Sequence, residues 1–534
     1  MVRRMADKKQ PDLDEVLARL DRLEAELAAA REEAASMKEE LARKDQIIAG
    51  LQQRLFGKSS ERVDPNQLDL DFDDATLGKP EPLPETGDTG GAPEEAGGRR
   101  KRHRRRKADL FPENLPILIE EIIIPAEVEA DPAAWIEIDE EHHDELDVTR
   151  ASMFWRRKTC KKFVRADDRG APPVMDPMPE PSLPGTLCAP GLAAQIITDK
   201  HCDHLPHFRQ SKRFKRRHRT ELRASTINAW SCAAAKHLAP IGLAIRDELL
   251  GASYLQADET PIDYLSPGNG KTRQGYLWVY HAPELKLTYY NWQLGRGHQA
   301  LVEVLGDGSP GSYTGALDCD GYSAYETYLR LRGKGISLGA CLAHIRRKFY
   351  EARGQDPPAA GVILAEIQKL YRIEAEMREG GTATDNCRLL IRQARSKPIC
   401  ELLKKNIIAE KNRHLPKSKF GEAVRYALGQ WTMFESYLSD GEMEIDNNLV
   451  ENAIRPTKLG AKNYMFFGSA EAGIRNALLY TLVANCRVNG IDPEIYLAEA
   501  IRRMTSDITD DQAAMLTPAK LAPTLRSTVA SDAA

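Results

Sequence analysis

Between residues 253 and 353 short apolar runs alternate with amphipathic ones in an order that few chains can accommodate. Periodicity predicts a strand over 253–258, a hairpin of strands at 275–281 and 285–292, and a helix near 298–306. A strand at 315–320, a helix at 323–332, a strand at 336–342 and a helix at 344–353 follow. Three strands in sequence followed by alternating helices and strands call for one mixed sheet, with its parallel part reached through helical crossovers.

This β-β-β-α-β-α-β-α order is that of an RNase H-like fold. There the first strand neighbours the strand that follows the first helix. Each of those strands leads into an acid, in Ser-Tyr-Leu-Gln-Ala-Asp258-Glu-Thr-Pro and in Gly-Ala-Leu-Asp-Cys-Asp320-Gly-Tyr. Strand pairing is expected to stop at Asp258, so both acids would emerge side by side at a sheet end, where α/β sheets bind ligands. A third acid, Glu451, lies in Ile-Asp-Asn-Asn-Leu-Val-Glu451-Asn-Ala-Ile-Arg455-Pro, which reads as a helix start.

The chain outside this core is multidomain. Leu13, Val16, Leu20, Leu23, Leu27, Ala30, Ala34, Met37, Leu41, Lys44, Ile48, Leu51 and Leu55 repeat at three- and four-residue steps, so residues 10–57 are expected to form a coiled coil that joins copies of the chain. Residues 58–108 are expected to be a disordered linker, acidic and then basic. Its span 64–95 holds ten acids and one base, whereas 99–107 is basic at every position but His103. A small strand-rich unit is expected over 109–170 and a helical region over 185–250. In the latter, eight bases between Arg209 and Arg223 form a turn before a helix capped by Ser225-Thr226, in the manner of a helix-turn-helix. Residues 355–440 read as a helical insertion, 441–506 as the Glu451 helix and C-terminal helices, and 507–534 as a tail.

The net charge of −4 argues against nucleic acid only if charge is spread evenly, and it is not. Arg102, Arg104, Arg213, Arg216 and Arg217 are the candidate phosphate contacts in the two basic clusters. Nine scattered cysteines form no paired framework, and no apolar stretch reaches the roughly 20 residues that cross a bilayer. With no apolar signal region behind the N-terminus, a cytoplasmic, nucleoid-associated protein is expected.

Paired acids are the ligands that hard cations take, and two such cations activate water and stabilise both oxygens of an in-line phosphoryl displacement. A single aspartate of this kind is more often a turn former. Asp318, two residues before Asp320 on the same strand face, and Asp446, beside the Glu451 helix cap, are the alternative acids. Gly321 favours Asp320. Arg455, Lys458 and Lys462 share one face of the Glu451 helix and suit a DNA backbone, with a surface Glu–Arg pair as the plainer alternative. In Cys341-Leu-Ala-His344-Ile-Arg346-Arg347 zinc is not expected, because no second Cys/His pair stands at zinc spacing. His344, Arg346 and Arg347 instead begin a helix close to a scissile phosphate.

At these motifs the sequence resembles the large transposase of the insertion sequence 66 family. The resemblance rests on Ala-Asp258-Glu-Thr-Pro-Ile, Pro267-Gly-Asn-Gly-Lys-Thr, Gly-Tyr-Leu-Trp278-Val-Tyr, Cys-Asp320-Gly-Tyr and Cys341-Leu-Ala-His-Ile-Arg-Arg-Lys-Phe. It continues in Glu444-Ile-Asp-Asn-Asn-Leu-Val-Glu451, Ile-Arg455-Pro and Lys462-Asn-Tyr-Met-Phe-Phe-Gly-Ser, and upstream in Arg54-Leu-Phe-Gly-Lys-Ser-Ser-Glu61 and the stretch Lys200 to Gln210. The resemblance implies a DDE transposase with Asp258, Asp320 and Glu451 as its triad. Mg²⁺ or Mn²⁺, two ions, would be its cofactor, and element ends and target DNA its partners together with small accessory proteins. Two features depart from the family pattern. Only Cys160 remains where a zinc ribbon is usual, and Asn452 stands where arginine usually follows the glutamate. A DNA-binding, non-cutting relative is the alternative.

Overall fold

The computed structural model describes residues 152–163, 172, 174 and 180–532, apart from 267, 269, 333, 334, 380–383 and 506. The expected coiled coil over 10–57, the linker with Arg102 and Arg104, and all of 109–170 except 152–163 lie outside the described residues.

Three helices come first. α1 (Pro190–His201) starts on proline, whose missing N–H costs nothing at a helix start. α2 (His207–His218) is the basic segment, and it is a helix rather than the expected turn. Gln210 and Phe214, four residues apart, give it one buried face, and Gln210 Nε2 donates to the carbonyls of Ile196 and Leu205 at 3.1 and 3.0 Å. α3 (Ala224–Leu249) has Arg223 at its N-cap, with no side-chain cap bond. Ser225 and Thr226 therefore lie inside the first turn, not at the expected cap.

The sheet follows in the expected element order: β1 (Tyr254–Leu265), β2 (Thr272–Ala282), β3 (Leu287–Gln293), α4 (Gln299–Leu305), β4 (Ala316–Cys319), α5 (Ser323–Leu331), β5 (Ser337–Ala340) and α6 (Leu342–Ala352). Spatial order is β3-β2-β1-β4-β5, antiparallel across the first three and parallel from β1 through β4 to β5. β1 does not end at Asp258. It pairs with β2 as far as Leu265, and only its parallel partner stops, the last pair there being Gln256 with Asp318. A notch therefore opens beside Asp258 where β4 turns away, although the backbone at 258 remains in a strand.

Four further helices with a π turn at Arg392–Ser396 make up the insertion: α7 (Pro357–Glu379), α8 (Asp385–Ile391), α9 (Lys397–Glu410) and α10 (Lys419–Glu435). Then come α11 (Asn448–Tyr464), the two-residue β6 (Phe466–Phe467) that pairs with Asp263 and Tyr264 of β1, α12 (Ala470–Val488), α13 (Pro493–Arg503), α14 (Asp510–Ala514) and α15 (Pro518–Asp532).

Strand alternation sorts the core. Leu255 and Ala257 of β1, with Leu317 and Cys319 of β4, face a cluster that includes Ile241 and Ile245 of α3 and Leu482 of α12. The helices of 185–250 thus share a core with the sheet. The opposite sheet face is covered in two parts. Tyr254 and Ala316 meet Phe349, Leu370, Phe420 and Trp431 of α6 and the insertion, whereas Ile262, Val279 and Trp292 meet Val450 and Ile454 of α11. Gln256 and Asp258 lie on this second face, between the two covers. The outer edge of β3 is closed by α12: Asn485 Oδ1 and Thr481 Oγ1 accept the N–H groups of Thr288 and Tyr290, both at 3.0 Å.

Candidate active site

Parallel register makes Gln256 and Asp318 neighbours, and two residues further along each chain stand Asp258 and Asp320. Asp320 sits on a tight turn. Its Oδ1 accepts the N–H of Tyr322 at 2.9 Å, and Gly321 has φ +78°, a conformation that disfavours other residues. A Cβ at Gly321 would lie 2.3 Å from Gln430 Oε1 of α10, and Tyr426 of the same helix donates its hydroxyl to the Asp320 carbonyl at 2.7 Å. The insertion thus grips the Asp320 turn from 106 residues away in sequence.

Glu451 reaches the same place through Gln256, a residue the sequence did not single out. The α11 N-cap, Asn447, makes no side-chain cap bond. Instead Gln256 Oε1 accepts the N–H of Val450 at 3.2 Å, and its Nε2 donates to the Asp446 carbonyl at 2.9 Å. Gln256 is fully buried, so this cap supplied by another strand fixes the first turn of α11 against the strand that carries Asp258.

The electrostatics follow from this convergence. Burial, then the charges of Glu259, Asp320 and Glu451, raise the Asp258 carboxyl well above the usual carboxylate range. Glu451 Oε1 is buried without a hydrogen-bond partner among the described residues. His344 Nε2 and Arg347 Nη2 stand 3.6 Å from its two carboxylate oxygens. Carboxylates are the ligands a hard divalent cation takes, and one between these acids would relieve the repulsion at Asp258, although the ligand atoms of the three do not all lie within 4.8 Å of one another.

The alternative acids are enclosed. Asp318 is 1% exposed and Asp446 7%, whereas the Asp320 and Glu451 side chains are each 20% exposed. Asp446 is occupied by the N–H and the side-chain amide of Asn448, and burial pushes its carboxyl up to about 6. Asp318 lies under Gly339, its Oδ1 at 3.1 Å from where a Cβ would be.

Arg296, also unforeseen, lies between two acids. Its Nε donates to Glu259 at 2.6 Å, its Nη2 is 3.9 Å from Asp320 Oδ2, and its guanidinium lies 3.8 Å from the Tyr322 ring centre. Tyr325 donates its hydroxyl to the other Glu259 oxygen at 3.0 Å. Glu259 points to the opposite sheet face from Asp258, so a buried glutamate directly after the site acid demanded a cation. That demand was the one available signal in the sequence.

The expected cationic residues divide. Burial lowers the pKa of the Arg455 guanidinium, opposed by Glu451 and aided by Arg347, without discharging it; Lys458 Nζ donates to the Pro261 carbonyl at 3.1 Å, and Lys462 is exposed. All three share the Glu451 face of α11. Arg347 stands at Glu451, but Arg346, one residue out of phase on α6, turns toward the Tyr350 ring 5.9 Å away. Arg216 and Arg217 are exposed on α2. Arg213 is not free for a phosphate: it forms a two-bond pair with Asp199, its Nη1 at 2.7 Å from Oδ1. Cys341, His344 and Glu451 offer atoms within 4.8 Å of one another, so α11 supplies a third donor to the Cys–His pair that had no partner in sequence. None of the nine cysteines is in a disulfide. Among the described residues no helix is long and apolar enough to cross a membrane.

Residues 185–475, more than half of the chain, match the family model described as "Transposase IS66 family". Residues 45–117, which include Arg102 and Arg104, match that of "Transposase C of IS166 homeodomain". The chain is 30% identical over 482 residues to the uncharacterized protein y4jD of Sinorhizobium fredii (strain NBRC 101917 / NGR234), covering 86% of this chain and 91% of that one. It is 31% identical over 479 residues to y4qI of the same strain, also uncharacterized, covering 86% and 85%.

Proposed function

Because the chain belongs to the IS66 transposase family, we propose that it binds the ends of an insertion sequence, cleaves their 3′ ends and joins them to target DNA on an RNase H-like core. Asp258, Asp320 and Glu451 would hold two Mg²⁺ or Mn²⁺ ions. The observation that carries this reading is the approach of three partly exposed carboxylates from β1, the turn after β4 and the first turn of α11, with Asp258 raised by burial and by the charges of Glu259, Asp320 and Glu451.

Bound metal supplies an activated water and charge stabilisation at both oxygens of the displacement. The chain's own groups bind and orient. Arg455, Lys458 and Lys462 form a cationic stripe along α11 that suits the backbone of the strand being cut. Arg347 and His344 hold the Glu451 carboxylate in place, and Arg296 compensates Glu259 so that its charge bears less on Asp320. Exposed Arg216 and Arg217 give α2 a second phosphate-binding surface, and Arg102 and Arg104 a third. Copies joined through residues 10–57 would hold two element ends together, with small accessory proteins as further partners.

Separate substitution of Asp258, Asp320 and Glu451 by Ala, assayed for strand transfer with Mg²⁺ on end-mimic DNA, tests this. Each is expected to lower the rate by at least about a hundredfold while DNA binding persists, since even residues behind metal ligands cost 10–100-fold. Full activity in any one variant removes that residue from the mechanism. Nicks without joined products would indicate a plain nuclease, and binding without cleavage by the unaltered chain a non-cutting relative.

A further inference from the structure

At the end of α11 away from Glu451, α1, α3, β6 and the start of α12 line an open cavity of about 230 Å³. Its cations are Lys200 of α1 and Arg475 of α12, and none of its lining residues is acidic. Among the described residues neither cation forms an ion pair with a carboxylate. Glu471, one turn before Arg475 and fully exposed, feels the charge of Arg475 from outside the cavity. Lys200 Nζ lies 5.8 Å from the centre of the Tyr464 ring. Burial pushes its ammonium down to about 8, with Cys232 in the cavity wall opposing the shift and Arg475 adding to it. Two cations lining one cavity without a carboxylate repel, and an anion between them offsets that repulsion. The remaining polar walls are Asn228, Ser231, Cys232, Tyr464, Ser469 and Asn476; Ser469 already caps α12 through the N–H of Ala472 at 3.1 Å, and Asn476 is engaged with His201.

We propose that this cavity binds a phosphate group of the DNA strand whose scissile bond lies at the acids. The proposal rests on the DNA-processing reading above. Helix α11 joins the two places, with Glu451 in its first turn and Tyr464 as its last residue. Thirteen residues at 1.5 Å each span about 20 Å. Strand β1 measures the same interval, since Asp258 and Tyr264, the partner of Phe467, are six residues apart, again about 20 Å. Lys458 and Lys462 line the path between. With one phosphate per about 3.4 Å of axis on each strand, the distance corresponds to about six base pairs. Two sequence stretches with no role at the acids meet here: Lys200 opens one, and Tyr464 to Ser469 closes the other.

The test needs no catalysis. End-mimic duplexes are made with single phosphates replaced by neutral methylphosphonates, and binding to the full chain is measured across a salt series. One sensitive position is expected about six base pairs from the cleavage point. That sensitivity is expected to disappear in Lys200→Met and Arg475→Gln. The slope of log K against log salt is expected to fall by about one for each cation removed. Lys200→Arg is expected to keep both. A scan of the unaltered chain with no sensitive position in that interval overturns the proposal, and so does an unchanged slope in variants that melt normally. Inorganic phosphate that binds through Lys200 and Arg475 while the DNA scan stays flat would make this a free-phosphate site, which also overturns it. Loss of strand transfer activity under all conditions would sink the transposase reading and leave the interference pattern standing.

Discussion

At the scale of single residues, Gln256 decides most about the site. It faces the same side of the sheet as Asp258, and its two amide atoms serve the start of a helix, at Asp446 and Val450, 190 and 194 residues later. Replacing it with Leu leaves the Val450 N–H and the Asp446 carbonyl buried without partners. Each such orphan costs about 1–3 kcal/mol, so Gln256→Leu is expected to destabilise the chain by about 2–6 kcal/mol. Denaturant unfolding would measure this, and cleavage should drop although Asp258 is untouched; unchanged stability would show that α11 is held otherwise. The three acids were legible because each stands at the end of an apolar run or in a helix start. Gln256, Arg296, Tyr426 and Gln430 were not legible, because their roles are contacts across long stretches of sequence, and glutamines and tyrosines carry no spacing signal of their own. Gly321 is an intermediate case: its neighbourhood to Asp320 was readable, but the reason for it, Gln430 pressed against it, was not.

At the scale of elements, the insertion is a clamp on the approach to Glu451. Arg392, in a π turn and fully buried, pairs with Glu374 through two bonds of 2.8 Å and donates to the carbonyls of Tyr437 and Asp440 at 3.1 and 2.7 Å. Arg378 and Arg388 hold Glu444 at 2.8 and 2.9 Å, and Glu444 lies on the segment leading into α11. Arg392→Met abandons a buried carboxylate, so a loss of about 3–5 kcal/mol is expected. Adding Glu374→Leu should recover much of it, because the uncompensated charge is then gone; a double variant no more stable than the single one would contradict this account. The helical pattern of 355–440 was readable from periodicity. Its grip on residues 320, 321 and 444 was not, since helical period says which face is apolar and nothing about what that face meets.

At the scale of the whole molecule, charge placement outweighs net charge. A chain of −4 overall presents Arg216 and Arg217 on α2 and the α11 stripe to solvent. Arg216→Ala with Arg217→Ala is expected to lower the salt slope of DNA binding by about two and leave folding intact. Arg213→Ala, by contrast, should act on stability because it strips Asp199 of its partner. Equal effects of Arg213 and Arg216 on the slope, with no effect on melting, would refute that division. The basic cluster was visible in composition, but the difference between these arginines depends on helical phase. One face of α2 packs with Gln210 and Phe214 against the core, and the others do not.

The sequence by itself determined the order of strands and helices from 253 to 353, the helical character of the insertion and the family. All of these are written in periodicity and in short motifs that act over a few neighbours. Only the tertiary structure decided that β1 runs on past Asp258 and that Asp318 and Asp446 are enclosed. It alone decided that Arg213 pairs with Asp199, that Arg346 leans toward Tyr350 and that a strand glutamine caps the Glu451 helix. The physical reason is the same in each case. Burial and hydrogen-bond pairing are properties of what packs around a residue, and the partners here lie up to about two hundred positions away in the chain.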